Sequence, residues 1–322
     1  MNKPSAADHS RIIRSISREI GFDFCGFSEV AALKDELSGL ENWLSHGYHG
    51  KMDYMARNRE LRTDPGLLVP GARSVISLLY NYYPARDLSR EGEYKVAKYA
   101  YGEDYHKVLR KKLKLLMRRI RDEVGEIDGR VFVDSAPVME RQWAARAGLG
   151  WIGKNTLLLN RRLGSYFFIA ELIVDIELEY DGPVKDYCGT CRRCLDACPT
   201  GAFPQPGVLD ASRCISYFTI ELREHIPPGL HEQFQNWIFG CDICQDVCPW
   251  NRFAKPHNEP DFDPSETLVE MRTSDWERLD EEEFLRIFEN SALRRAGIAG
   301  LKRNITYVKK GPPTAGPEWI QT

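Results

Sequence analysis

The sequence predicts a mixed architecture: an α/β (α+β) N-terminal domain, a cysteine-rich module and a small helical C-terminal end. Three observations predict it. Strand-like and helix-like hydrophobic patterns alternate as far as residue 176. Eight of the nine cysteines then crowd between Cys188 and Cys248. A Pro/Asp-rich stretch, Pro256 to Pro264, separates that crowd from a last helical pattern.

Taken in order, isoleucines at 12, 13, 16 and 20 ahead of Gly21 predict an amphipathic helix over Ser10 to Ile20 with a glycine stop. Phe22 to Phe27 reads as a strand, with Cys25 a small hydrophobe buried in it. Helical spacing returns over Leu33 to Leu44, and Ser74 to Tyr82 is an apolar strand. Asp104 to Asp122 is a long helix whose stripe of Val108, Leu109, Leu113, Leu116, Met117 and Ile120 faces a core. Val131 to Val133 is a strand leading into Asp134, and Glu140 to Ala147 a helix stopped by Gly148. Ser165 to Ile176 is the clearest strand. Asp181-Gly182-Pro183 closes this domain, so the expected divisions are 1–180, 181–255 and 256–322. Trp276 to Phe288 is the best helix of the C-terminal end, and the closing GPPTAGPEWIQT reads as disordered.

Bulk composition narrows the function. The net charge of -3 excludes wholesale coating by nucleic acid but leaves room for a local basic patch. The apolar run Tyr166 to Val174 is too short for a bilayer and is interrupted by Glu171. Met1 to Ser10 is polar, without an apolar export segment or twin-arginine pair. A cytoplasmic monomer is expected, and in a reducing compartment clustered cysteines mean metal or redox chemistry.

The run Cys188-x2-Cys191-x2-Cys194-x3-Cys198-Pro199 has the spacing of bacterial ferredoxins, whose fourth cysteine serves the other cluster. The second run, Cys241-x2-Cys244-x3-Cys248-Pro249, lacks its leading cysteine, and Cys214 supplies the missing thiolate. The count closes on two 4Fe–4S clusters. One takes Cys188, Cys191, Cys194 and Cys248, the other Cys198, Cys214, Cys241 and Cys244. Cysteine pairs also bind zinc, but zinc rarely uses this rhythm. A ferredoxin-like module fused to a larger domain implies an electron relay to a reductive site elsewhere.

For the acceptor, Gly148 to Gly153 matches a dinucleotide turn formally, yet it follows a helix and has a bulky middle. Asp104-Tyr105-His106 begins like a corrinoid signature whose histidine ligates cobalt, but position 109 is leucine where glycine belongs, leaving His106 a weak ligand candidate. Asp134 has two readings. Desolvation at the end of an apolar strand would keep it protonated as a general acid, or it would cap the following helix. Basic residues gather on the helix at Lys107, Arg110, Lys111, Lys112, Lys114, Arg118, Arg119 and Arg121, a face that solvation alone also explains. A second group, Arg294, Arg295, Lys302, Arg303, Lys309 and Lys310, is the better candidate for phosphate contacts.

Several stretches resemble the epoxyqueuosine reductases. They are Gly50 to Arg57, Arg62 to Pro65, Pro70 to Ile76, Tyr99 to His106, Asp134 to Arg141 and, most specifically, Ala147 to Leu157. With the cysteines, the resemblance spans residues 8 to 305. It implies removal of the epoxide oxygen of epoxyqueuosine at the wobble position of tRNA, the last step of queuosine synthesis. It implies base-off cobalamin without a protein ligand to cobalt, and an external flavodoxin or ferredoxin as electron donor. Asp134 becomes the proton donor. Arg57, Lys154, Asn155 and Thr156 are candidate cobalamin contacts, with Tyr99, Met139, Arg141, Leu157 and Ser165 beside them. The anticodon arm would rest on Lys302, Arg303, Arg294 and Arg295. Some members continue into C-terminal helical repeats, so a short form is expected. Three alternatives stay open: a corrinoid and iron–sulfur reductive dehalogenase-like enzyme, a non-catalytic electron-transfer module, and a tRNA-binding protein with structural clusters.

Overall fold

Ser5 opens the first helix. In the computed structural model, which describes residues 4–310, the Ser5 and Asp8 side chains each accept the other residue's amide N–H. Helix α1 therefore runs Ala6–Ile20, about one turn longer than the isoleucine spacing predicts. Gly21 closes it at φ 104°, a left-handed geometry that favours glycine.

Strands β1 (Phe24–Glu29) and β2 (Ser74–Asn81) flank helix α2 (Lys34–Ser45) in sequence. Helix α3 (Tyr105–Val124), strand β3 (Gly129–Phe132), helix α4 (Glu140–Arg146) and strand β4 (Phe167–Val174) follow. The strands form one sheet in the order β1-β2-β4-β3 with every pair antiparallel, which is the α+β form of the expected mixed fold.

Side-chain alternation gives the sheet two faces. On one, Ile76, Leu78, Ala170 and Leu172 pack against α1 and α3. The stripe read from the sequence is the buried face of α3, each large side chain stabilising the fold by about 1.5–3 kcal/mol. On the other face, Val75, Leu79 and Ile173 meet Trp143 and Ala144 of α4. Glu171 shares the parity of Ile173. It is fully buried on this second face, opposite Ser77 of β2.

The cysteine-rich module has little regular structure. Helices α5 (Arg193–Asp196) and α6 (Ile243–Asp246) give one turn to each cysteine run, and a two-strand parallel pairing ties Trp237–Phe239 to Lys95–Val96 of the N-terminal segment. The Pro256 to Pro264 stretch is no free linker. Tyr80 donates to Glu259 at 2.6 Å, Lys112 pairs with it at 2.7 Å, and Phe262 is buried in the N-terminal core.

The expected helix Trp276 to Phe288 is two helices. α7 (Thr273–Arg278) stops before Leu279, and α8 (Glu281–Phe288) restarts from Asp280, whose carboxylate accepts the Glu283 amide at 2.8 Å. The apolar rhythm survives the break because Trp276, Phe284 and Phe288 share one core with Leu301 and Ile305 of α9 (Gly297–Lys310). The closing GPPTAGPEWIQT lies outside the described residues. Among the described residues, no helix is long and apolar enough to cross a membrane.

Candidate functional site

Past β3 the chain turns through Val133 into Asp134, whose backbone sits at φ 54°. Holding a non-glycine residue there costs about 1–3 kcal/mol, and the surroundings must impose it. Glu140 does so: its carboxylate, at the start of α4, accepts the Asp134 amide at 2.5 Å. The Asp134 carboxylate is fixed in turn by the first turn of α3. Tyr105 donates its hydroxyl to Oδ2 at 2.7 Å, and His106 Nε2 lies 3.2 Å from the same oxygen. Asp104 accepts the His106 amide as the N-cap of α3 and holds His106 Nδ1 at 2.7 Å. The helix-cap reading of Asp134 is not realised, because the N-cap of α4 is Met139, with no side-chain cap.

Electrostatics then divide the protons. The Asp134 side chain is 59% exposed, and Tyr54, Tyr99, Arg141 and Arg295 stand around it close enough to feel its charge, which gives the site the form of a cleft with Asp134 at its floor. Surrounding protein opposes its charge, but hydrogen bonds from His106 and Tyr105 outweigh that and hold the carboxyl below its ordinary range. The expectation that desolvation keeps Asp134 protonated is thus corrected. The proton resides next door. Burial works against the His106 cation, yet hydrogen bonds to Asp104 and Asp134, and their charges, push it up to about 9. With both ring nitrogens facing carboxylates, His106 has no lone pair left for a metal.

Behind the loop, burial and then the Asp134 charge push Glu140 up to about 8. Burial, then Glu140, raises Glu171 well above its ordinary value. Ser77 donates to Glu171 Oε1 at 3.1 Å, while Oε2 has no partner. Three carboxyls therefore run from the cleft floor into the sheet, ionised at the outer end and protonated at the inner.

The structure gathers most of the remaining cofactor candidates around this cleft. Arg141 of α4 donates to the Thr156 carbonyl at 2.5 Å, and Thr156 holds φ 64° in the turn after Gly153. Asn155 is buried. Its Oδ1 accepts the Leu157 amide at 3.4 Å, and its Nδ2 has no partner, so a bound polar group would satisfy an orphaned donor. Met139 packs at the foot of α4. Tyr99 lies between Tyr105 and Phe239, each ring 6.1 Å away, and packs in the same cluster as Cys214 and Cys241, which joins the Asp134 cleft to the cysteine module. Arg57 stays exposed on a loop. Two candidates turn toward the cysteine module. Lys154 Nζ donates to the carbonyls of Gly189 and Cys191 at 2.5 and 2.9 Å, bracing the first cysteine loop. The buried Ser165 hydroxyl donates to Gln245 Oε1 at 2.8 Å in the seam between domain and module.

Electrostatic neighbours show which thiols lie near one another. Burial, then the neighbouring thiols of Cys248 and Cys188, pushes Cys194 up to about 11. Cys248 is raised by burial, with Cys188 and Cys191 adding their charges. Cys244 is raised by burial, then by Cys241, Cys214, Asp242 and Cys198. Cys198 and Cys248 thus exchange partners between the runs. Among the described residues, no three donors converge as a single metal ion demands. Trp151 Nε1 donates to Cys188 Sγ, and the Ala202 amide to Cys198 Sγ, both at 3.4 Å.

On the basic side one candidate fails. All five N–H donors of Arg303 are used, on the carbonyls of Phe218, Leu222 and Glu224 and on Asn304 Oδ1, so none can reach a phosphate. Lys302 is exposed, and Arg294 also lies at the surface, with one donor on the Glu289 carbonyl. Arg295 pairs with Glu221 at 2.8 Å and faces the cleft, its charge felt at Tyr54, which is 39% exposed there. On α3, Lys107, Lys112 and Arg119 are already partnered.

Sequence reasoning missed Tyr105, Glu140, Glu171 and Tyr54 as site residues. Tyr54, Tyr105 and Glu140 lie inside the stretches that carry the resemblance, and Glu171 stands out as a lone acid inside an apolar strand.

An α+β domain with an acid-bearing cleft, set against two four-thiolate sites, defines an iron–sulfur oxidoreductase. Residues 62–135 match the family profile described as Epoxyqueuosine reductase QueG, and residues 187–251 the 4Fe-4S double cluster binding domain. The epoxyqueuosine reductase of Leadbetterella byssophila is 55% identical over 303 residues, 94% of this chain and 99% of its own length. A crystal structure of an epoxyqueuosine reductase with an epoxyqueuosine-modified tRNA-Tyr stem loop superposes with TM-score 0.85 at 31% identity, covering 92% of this chain and 79% of that one. The Bacillus subtilis enzyme with its catalytic aspartate loop swung out of the active site gives 0.84 at 30%, over the same shares. The chain belongs to the epoxyqueuosine reductase family.

Proposed function

We propose that this chain reduces the epoxide of epoxyqueuosine in a tRNA anticodon arm to the cyclopentene of queuosine, the last step of queuosine synthesis in the cytoplasm. The observation that carries the reading is Asp134, held in a strained backbone between Tyr105, His106 and Glu140, with Tyr105 and Tyr99 linking it to the inner thiol quartet of Cys198, Cys214, Cys241 and Cys244. A chain that only carried electrons would have no use for that arrangement.

The conversion takes two electrons and two protons and releases water. Residues 1–180 form the catalytic domain, 181–255 the cluster module and 256–322 the helical end. Cys188, Cys191, Cys194 and Cys248 would hold one 4Fe–4S cluster, and Cys198, Cys214, Cys241 and Cys244 the other, supplying electrons singly from an external low-potential flavodoxin or ferredoxin. Base-off cobalamin, held by Asn155, Thr156, Arg141 and Tyr99, would supply a strong reductant at the epoxide. The protein's own part is the proton. Asp134 passes one to the leaving oxygen and draws it from His106, while Tyr105 keeps the carboxylate aimed. Glu140 holds the loop and stores the second proton. Arg295, Arg294 and Lys302 would meet phosphates, with Tyr54 a platform for a base.

The test is turnover of an epoxyqueuosine-modified stem loop. The Asp134→Asn variant should lose about 10²- to 10⁴-fold in rate while keeping cobalamin uptake and stem-loop affinity. Full activity in that variant would end the assignment.

A further inference from the structure

Aromatic and basic side chains surround the quartet of Cys188, Cys191, Cys194 and Cys248, the outer quartet, in which the first three are half-buried and Cys248 is buried. Trp151 donates to Cys188 and packs edge-on against Trp250 at 5.1 Å and Tyr187 at 5.2 Å. Tyr187 and Phe253 are 39% and 40% exposed, among the most exposed large hydrophobic residues of the described chain. Each carries a guanidinium over its ring: Arg161 lies 4.9 Å from the Tyr187 centroid, and Arg252 4.5 Å from that of Phe253. A cavity of about 820 Å³ opens beside them, with Arg193, Arg252 and Cys248 in its wall.

The charge here runs against that of the whole molecule. The chain totals -3, yet Cys248 to Lys255 contains Arg252 and Lys255 and no acid. Arg192 and Arg193 are exposed; Asp196 reaches Arg192 at 3.6 Å across an exposed pair that neutralises little, and Asp186, beside Tyr187, accepts the Cys188 amide at 2.6 Å. Asp246, the other acid in the cavity wall, is taken by Lys98 and Tyr166. Exposed aromatics ringed by arginines that outnumber the acids beside them are the composition of an interface core and its rim.

We infer that this collar around the outer quartet, Tyr187 and Phe253 flanked by Arg161, Arg192, Arg193 and Arg252, is the docking face for an acidic one-electron carrier protein. The inference rests on the proposed electron relay and adds where the relay is loaded. RNA is the less fitting occupant, because its reacting base must reach Asp134, which adjoins the inner quartet through Tyr105 and Tyr99, whereas this face adjoins the outer one. Each encounter oxidises the carrier by one electron and reduces this protein by one, so two encounters supply the pair that the epoxide consumes.

The experiment uses holoenzyme with a flavodoxin and a ferredoxin as probes, read by binding affinity at low and physiological salt. Wild type should bind at least one of them, more weakly as salt rises. The Arg193→Glu/Arg252→Glu double variant should lose about tenfold in affinity and flatten the salt dependence. Arg193→Lys/Arg252→Lys should retain most of the affinity, which separates lost charge from lost folding. With dithionite as reductant, turnover of the modified stem loop should be equal in all three proteins. Failure of wild type in that assay would strike the proposed reaction and leave the docking face to be judged on affinity alone. Absence of carrier binding by wild type, equal affinity after reversal, or loss of stem-loop binding in place of carrier binding would overturn the inference.

Discussion

At the scale of single residues, the site keeps its proton on an imidazole, not on the aspartate that faces the substrate. His106 is raised from an ordinary value of 6.5 to about 9 because its partners Asp104 and Asp134 outweigh its burial. The raised value means that the charged pair stabilises the fold fully below 6.5, and that this contribution fades as pH climbs through 9. Turnover should follow the same limb and fall above about pH 9. The Glu171 carboxyl acts in the same direction, over a lower pH range. It stays protonated in the fold and ionises in the unfolded chain, so it subtracts stability as pH rises past the ordinary carboxyl range. The Glu171→Gln variant should melt at the same temperature as wild type near pH 4, and above it at pH 8. Equal melting curves at pH 8 would mean that Glu171 is ionised in the fold. Neither residue's state was readable from the sequence, since each depends on a partner brought in by tertiary structure: Asp134 for His106, Glu140 for Glu171.

At the scale of elements, what was legible is what local chemistry decides. The stripe on α3 followed from 3.6-residue spacing, and the double-cluster module from the spacing of its cysteines. The break in the C-terminal helix at Leu279 was hidden, because Asp280 caps a new helix without disturbing the apolar rhythm. Likewise the Pro/Asp composition around Pro260 concealed Phe262, whose burial fastens that stretch to the N-terminal core. Arg303 shows the same limit. Read as a free cation on a basic stretch, it is a clamp joining α9 to the turn at Tyr217–Glu221. Arg303→Ala should cost about 2–4 kcal/mol by stranding the carbonyls of Phe218 and Leu222, seen as a lower denaturation midpoint. The Lys302→Glu change, one residue away and exposed, should leave that midpoint alone and weaken stem-loop binding. The opposite pattern would exchange their roles.

At the scale of the whole molecule, the two halves are interlocked more closely than consecutive domains need be. Lys95–Val96 pairs with Trp237–Phe239, Glu259 returns to Tyr80 and Lys112, and Tyr99 bridges the Asp134 cleft to the inner thiols. That closeness is what a relay ending at a proton-bearing cleft requires. The most direct test of the account is the iron and cobalt content of anaerobically purified protein reconstituted with cobalamin, read together with its electron paramagnetic resonance spectrum. The account predicts about eight irons in two 4Fe–4S clusters and about one base-off cobalt per chain. Eight irons with no cobalt retained would contradict it, and would leave a relay whose cleft has no reductant of this kind.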